Sequence, residues 1–253
     1  MRRRSSRSRG APATEGLWLY GVHAVKAALA NPLRRNRRCV LTERAAEALG
    51  ALPRGVQLDI VDVNGVSRLL PDGAVHQGAA LSCEPLPRRS LEDMLKPEGR
   101  KLVLVLDQIS DPQNVGAILR SAAAFDATAV IVQDRHAPPE SGALAKAASG
   151  ALDLVPYLQV VNIARTLERL GEAGFWRVAL ASDAGRPLAV ALHGSDMALV
   201  LGSEGAGIRP LVRARCDTAG AIPIGHLVES LNVSSAAAIA LYESRRSDIA
   251  GSK

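Results

Sequence analysis

Aromatic residues are nearly missing from this chain: Trp, Tyr and Phe together make up 3% of its 253 residues. A core of ordinary size must therefore be built from Ala, Val, Leu and Ile. Cysteine is just as sparse. Cys39, Cys83 and Cys216 are an odd number and far apart. With no C-x-x-C pair and no histidines at zinc-ligand spacing, neither a disulfide framework nor a metal site is expected, and the thiols read as reduced and structural. No apolar run approaches the roughly 20 residues that a membrane span needs. The first ten residues hold no apolar stretch of the secretory kind. They are Arg- and Ser-rich and free of acids, as transit peptides are, but lack the apolar stripe of one. A cytoplasmic protein is expected. Without a secretory signal, the sequon Asn232-Val233-Ser234 carries no message.

What is present is an ordinary globular composition, 47% apolar and 22% charged. The net charge of +6 is uneven, because Arg2, Arg3, Arg4, Arg7 and Arg9 supply five of the six charges. Such a tail is solvated and adds phosphate affinity without base preference.

Five stretches follow: a basic tail over 1–16, a small α/β unit over 17–84, a Pro- and charge-rich linker over 85–100, a larger α/β unit over 101–247, and a tail over 248–253. In the first unit, strands are expected at 17–20, 39–41, 56–63 and 79–83. Helices are expected at 23–30 and 44–52, with a short one capped by Asn64. The linker allows one helical turn over 91–95. In the second unit, the continuous apolar run Leu102–Leu106 suits a parallel strand covered on both faces. Helices from 112, 142–152, 162–170, from 210 and 232–244 alternate with strands at 129–132, near 154, 177–181, 198–201 and 221–224. This alternation predicts a mostly parallel α/β sheet with helices on both faces. Ligands in such sheets gather at the carboxyl ends of strands, which singles out the loops 107–116, 202–209 and 225–232.

In the first loop, Asp111 can cap a helix that Pro112 opens, placing Asn114 in its first turn. Gly116 costs about 1 kcal/mol inside a helix. It either lets a ligand approach beneath Arg120 or packs against another helix, and the segment alone does not decide. The second loop, Gly202-Ser-Glu204-Gly205-Ala-Gly207-Ile-Arg-Pro210, follows an apolar strand. It has proline where a dinucleotide fingerprint needs its third glycine, it is not a Walker sequence, and Glu204 would repel a pyrophosphate. A cationic or hydroxyl-bearing ligand suits it better. In the third, Ser230, Asn232 and Ser234 crowd a helix start. Capping explains one of them and leaves two over. His226 reads as a surface residue.

Taken together, Asn114, Gly116 and Arg120, then Gly202, Glu204 and Gly207, then Pro223, Ser230, Leu231, Asn232 and Ser234 resemble the three motifs of the SpoU-type (TrmH-like) RNA ribose 2′-O-methyltransferases, in the family's order and spacing. Tyr20-Gly21-Val22-His23-Ala24-Val25 and His76-Gln77-Gly78 resemble that family's small L7Ae/L30e-like substrate-binding domain. Within the family, the combination is most like the bacterial enzymes that methylate a guanosine of 23S ribosomal RNA. His226-Leu227 departs from the Gly and small residue that relatives often carry there.

The resemblance implies a catalytic domain with a C-terminal trefoil knot, homodimers formed across that region, and S-adenosylmethionine held by backbone groups of Gly202, Ile222 and Leu231. It implies RNA as the partner and Arg120 as the group acting on the 2′-hydroxyl, with Asn114, Glu204, Ser230 and Asn232 shaping the site. Arginine is an awkward base because its pKa exceeds about 12. Stabilising the developing negative charge is the better role for it, with general base the alternative. A transfer RNA target and a non-catalytic ribosome-assembly protein on the same scaffold remain the competing functions. The retained Asn114, Arg120, Glu204 and Asn232 speak against the latter. A nucleotide-dependent oxidoreductase is disfavoured by the failed glycine spacing.

Overall fold

The computed structural model of the protein describes residues 16–96, 98–194 and 196–250, the side chains of 247–250 excepted. The expected N-terminal tail therefore falls outside the described residues, apart from Gly16.

The first unit runs β1 (Leu17–Tyr20), α1 (Val22–Ala30), β2 (Asn36–Leu41), α2 (Glu43–Leu49), β3 (Gln57–Ile60), α3 (Val63–Ser67) and β4 (Ala79–Cys83). Its four strands lie in the order β1-β4-β2-β3. Only the β2–β3 pair is parallel. Helix α3 is capped by Asp62, whose carboxylate accepts the Gly65 N–H at 2.7 Å. The expected cap, Asn64, lies inside the helix. Both residues are good caps, and the one that leaves Val66 facing the core wins.

The linker holds α4 (Leu91–Leu95), and the second unit follows. It comprises β5 (Leu102–Asp107), α5 (Pro112–Ala124), β6 (Ala129–Gln133), α6 (Gly142–Ala148), a 3-10 turn (Ala151–Asp153), β7 (Tyr157–Val160), α7 (Ile163–Glu172) and β8 (Trp176–Leu180). After these come α8 (Leu188–Ala191), β9 (Met197–Gly202), α9 (Pro210–Arg213), β10 (Thr218–Gly220) and α10 (Val233–Ala250). The sheet order is β10-β8-β9-β5-β6-β7, and every pairing is parallel. All six residues of β5 are buried, as its continuous apolar run requires of a strand covered on both faces.

Three expectations for this unit are corrected. The helix expected over 142–152 stops at Ala148, because Ser149 and Gly150 turn into positive φ (51° and 97°) and the chain re-enters as the 3-10 turn. The strand expected near Leu154 lies later, at β7, and Leu154 is 70% exposed. The strand expected over 221–224 lies earlier, at Thr218–Gly220, beyond which only Ala221 bridges to Pro187. Apolar character had pointed to Ile222 and Ile224, but the pairing with β8 is made by the small residues before them. Helix α10 also continues to Ala250, into the stretch read as a tail.

The two units share one apolar core. Leu19, Val25, Leu41 and Leu81 of the first belong to the same cluster as Leu104, Ile118 and Leu144 of the second. Two glycines make the close approach possible. A Cβ on Gly142 would lie 2.5 Å from the Trp18 carbonyl oxygen, and one on Gly150 would lie 3.1 Å from that of His23. The cysteines are free, and Cys39 and Cys83 are buried. Burial pushes the Cys39 thiol up to about 11 and the Cys83 thiol up to about 12. Both are therefore neutral and unreactive near pH 7, as the sequence suggested.

Candidate functional site

The three loops singled out by the sequence meet at one place. Asp111 caps α5, its carboxylate accepting the N–H groups of Gln113 (3.2 Å) and Asn114 (3.1 Å). This fixes Asn114 in the first helical turn. At the start of α10, the Asn232 side-chain oxygen accepts the Ser234 N–H (2.9 Å) and hydroxyl (2.6 Å). Its amide nitrogen donates outward, to Asn114 Oδ1 at 3.0 Å and to Glu204 Oε1 at 2.8 Å. The Val233 N–H also reaches Glu204 Oε1, at 3.4 Å. A carboxylate at the N-terminal end of an 18-residue helix sits where the helix dipole favours negative charge. One asparagine thus joins motif residues that lie 118 and 28 positions away in the sequence.

Beside this cluster opens a cavity of about 470 Å³ between the ends of β8, β9 and β10. Gly202, Glu204, Ile222, Ser230 and Leu231 line it, and each was a sequence-derived site residue. Ile208 and Val233 add apolar wall, and Asp183 and Arg213 add a charged edge. The Arg213 guanidinium, 2.8 Å from Asp183, holds that carboxyl below its ordinary range. Gly202 has no room for a side chain, since a Cβ there would collide with the backbone of Gly207 and Ile208. The loop after β9 therefore doubles back over its own origin, and the bridge between Ser203 and Gly207 closes it.

Two motif residues are placed differently. Gly116 is buried against α6, where a Cβ would lie 2.8 Å from the Ala148 backbone nitrogen. It is a helix-packing glycine and not a ligand approach. Arg120 is exposed, and no ion pair ties it down among the described residues. It stands six residues beyond Asn114, which on a helix means ~9 Å along the axis and ~120° around it. It therefore projects from another face of α5 and does not join the Asn114–Glu204–Asn232 cluster.

The sequence reading missed Asp107 and Arg209. Asp107 ends β5 and is fully buried. Its carboxylate accepts the Arg209 backbone N–H (2.9 Å) and Nε–H (2.9 Å), with Arg209 Nη2 at 2.6 Å. The same guanidinium reaches Gln133 Oε1 at 2.9 Å. This clamp holds the far end of the loop that carries Glu204. The available signal was a lone carboxylate ending an otherwise apolar strand, a residue rarely buried unless paired.

Similarity to known proteins agrees with this geometry. Residues 101–242 match the model of the SpoU rRNA Methylase family. The chain is 37% identical over 241 residues to the 23S rRNA (guanosine-2'-O-)-methyltransferase RlmB of Vibrio vulnificus, spanning 92% of this chain and 98% of that one. It is 39% identical to the protein of the same description from Ralstonia nicotianae, spanning 90% and 94%. Among solved structures, a putative RNA methyltransferase of the TrmH family from Porphyromonas gingivalis superposes with a TM-score of 0.75 at 29% identity, covering 91% of this chain and 90% of that one. The SpoU methyltransferase AviRb from Streptomyces viridochromogenes superposes at 0.79 with 22% identity, covering 93% and 90%, a likeness of fold. This chain belongs to the SpoU rRNA methylase family, whose model its second unit matches.

Proposed function

We propose that this protein transfers a methyl group from S-adenosylmethionine to the ribose 2′-hydroxyl of a guanosine in 23S ribosomal RNA. The observation that carries this reading is the Asn232 amide bonded to both Asn114 and Glu204 at the lip of the 470 Å³ cavity. The cavity fits the cofactor in chemistry as well as size. Ile208, Ile222, Leu231 and Val233 offer apolar wall for a purine, and Glu204 and Glu229 offer negative charge for a cation. Backbone groups of Gly202, Ile222 and Leu231 would hold it. When bound, S-adenosylmethionine supplies a methyl group on a positively charged sulfur, ready for in-line transfer.

The chain's own residues then position and polarise the acceptor. Asn114, Glu204, Ser230 and Asn232 present alternating donors and acceptors to the ribose. Arg120 lies ~9 Å up α5 on an exposed face and supplies positive charge to the oxygen as it loses its proton. Further readings support this picture. Strand β9 inserts between β8 and β5, and Ala221 bridges back to Pro187, as befits a C-terminal trefoil knot. Ile239 and Tyr242 of α10 stay 41% and 50% exposed, which suits a homodimer packed through that helix. The first unit is an RNA-binding domain of the L7Ae/L30e kind. The ribosomal RNA reading is favoured over transfer RNA because the 23S-directed relatives align with both units. An RNA-processing role places the protein in the cytoplasm, needing no metal.

The test is transfer of labelled methyl from S-adenosylmethionine to a 23S ribosomal RNA transcript, with transfer RNA as comparison and nucleoside analysis of the product. The expected product is 2′-O-methylguanosine, reduced on the order of 100-fold in Arg120→Ala, the scale of losing one stabilising donor. Methylation of transfer RNA alone would overturn the substrate. Cofactor binding without transfer to any RNA, naked or in ribosomal precursors, would leave a non-catalytic assembly factor.

A further inference from the structure

A second cavity, of about 310 Å³, lies where the two units and the linker meet, along the outer edge of β7. We propose that it receives one unpaired nucleotide of the RNA substrate, the base entering the cavity and the adjoining phosphates resting on Arg88 and Arg89. The proposal rests on the RNA-methylating function argued above.

The wall chemistry suits a base. Leu33 and Leu154, 44% and 70% exposed, put apolar surface on the rim where a base could pack. Pro85, Pro87, Pro139 and Pro156 add rigid apolar wall. Tyr157 adds a ring whose hydroxyl is already committed to the Pro138 carbonyl at 3.2 Å. The Gln159 side chain lines the cavity and can offer both a donor and an acceptor to a base edge.

The charge suits a phosphate. Two carboxylates line the cavity, Glu140 and Asp153, and both are held by the same cation, Arg34. Asp153 Oδ1 accepts from Arg34 Nε (2.9 Å) and from Asn31 Nδ2 (3.1 Å). Glu140 Oε1 is ion-paired with Arg34, and its Oε2 accepts the Leu86 N–H at 3.0 Å. Arg34 itself is buried. Arg88 and Arg89 are exposed at the rim, and neither makes an ion pair among the described residues. In the adjoining part of the first unit, Arg35 and Arg37 share the single carboxylate of Glu84. A slot walled by prolines and leucines, with its two carboxylates held on one buried guanidinium and its rim edged by two exposed ones, matches a nucleotide better than an acidic peptide. A splayed base gains from burial and stacking, and single-stranded RNA is recognised in this way. Strand β7 is also the outer strand of the sheet whose central strands β5 and β9 carry the candidate site. An occupied slot would therefore grip the RNA three strands away from the reacting ribose, ~14 Å at ordinary strand spacing.

The experiment measures steady-state methylation of a 23S ribosomal RNA transcript by the full chain and two variants, with S-adenosylmethionine affinity as the check on folding. Arg88→Ala with Arg89→Ala should raise KM for RNA about tenfold and leave kcat and cofactor affinity unchanged. It should also lower the salt slope of RNA binding by about 1.4, the value for two single-strand phosphates. Leu154→Trp fills the slot from an exposed position and should raise KM for RNA about fivefold without altering the salt slope. Transcripts carrying 4-thiouridine should crosslink to residues 154–159 in wild type and not in Leu154→Trp. An RNA effect of the arginine pair without one from Leu154→Trp would show plain charge attraction and overturn the base slot. Unchanged KM in both variants would overturn the whole proposal. Absence of RNA methylation by wild type would instead strike down the function on which it rests.

Discussion

Asn232 performs two tasks with one side chain. Its oxygen caps α10 by accepting from Ser234, and its nitrogen donates to Asn114 and Glu204. The two tasks separate by substitution. In Asn232→Asp the oxygen acceptor survives, so the cap and its contribution of about 1 kcal/mol are retained. The donor is replaced by a second carboxylate against Glu204, where the present separation is 2.8 Å. Like charges that close raise the pKa of the pair, because both cannot ionise cheaply. Methyl transfer by Asn232→Asp should therefore fall on the order of 100-fold at pH 8. It should partly recover toward pH 6, where a shared proton restores a donor, with cofactor affinity measured alongside. A purely structural asparagine would show the same pH dependence in stability and cofactor affinity, whereas a role in transfer confines it to the methylation rate.

At the level of the element, the loop between β9 and α9 is held at both ends by groups from other elements. Glu204 meets α10 through Asn232, and Arg209 meets β5 through the fully buried Asp107. Asp107→Asn keeps the shape but weakens charge-assisted bonds worth about 1.5–3 kcal/mol each in favourable settings. Because the Arg209 side chain is 37% exposed, water offsets part of that. A stability loss of about 1–2 kcal/mol in urea denaturation is expected on these grounds. KM for S-adenosylmethionine should rise while KM for RNA stays constant, since the loop lines the cavity proposed for the cofactor. The loop also shows which parts of the molecule were legible in the sequence. The apolar runs 102–106 and 198–201 announced themselves as strands, the first as one covered on both faces, and the structure extends them to Leu102–Asp107 and Met197–Gly202. The motif residues Asn114, Glu204 and Asn232 were legible as types and spacing. Their mutual hydrogen bonds were not, for nothing local links positions 114 and 232. Asp107 and Arg209 escaped notice for the same reason, being 102 residues apart. Strand β10 was misplaced because Thr-Ala-Gly carries no periodic signal, while Ile222 and Ile224 beside it look like a strand and instead border the cavity region. Gly116 could be narrowed to two uses by helix propensity, but only the packing of α6 chooses between them.

For the whole molecule, the question is whether the two units fold as one. Their cores are continuous, and the buried Arg34 of the first unit binds Asp153 and Glu140 of the second. It also donates to the Glu84 carbonyl, where the first unit ends and the linker begins, at 3.2 Å. The chain has two tryptophans, and they divide between the units: Trp18 in β1 and Trp176 in β8. Variants retaining one or the other, Trp176→Phe and Trp18→Phe, thus report on each unit separately by fluorescence. In the otherwise native chain, both reporters should give the same urea midpoint, because neither unit can expose its half of the shared core without disturbing the other. Arg34→Ala removes the cation and strands two carboxylates at a buried junction, a loss of about 3–5 kcal/mol. The penalty falls on the contact between units and on neither sheet. The first unit, with the smaller core, should then unfold at lower urea, and the Trp18 midpoint should drop below that of Trp176. Midpoints that fall together would mean the apolar contact around Gly142 and Gly150 couples the units without the ion pairs. The slot proposed for RNA lies at this junction, so on that proposal the same Arg34→Ala variant should lose RNA affinity before it loses the cofactor.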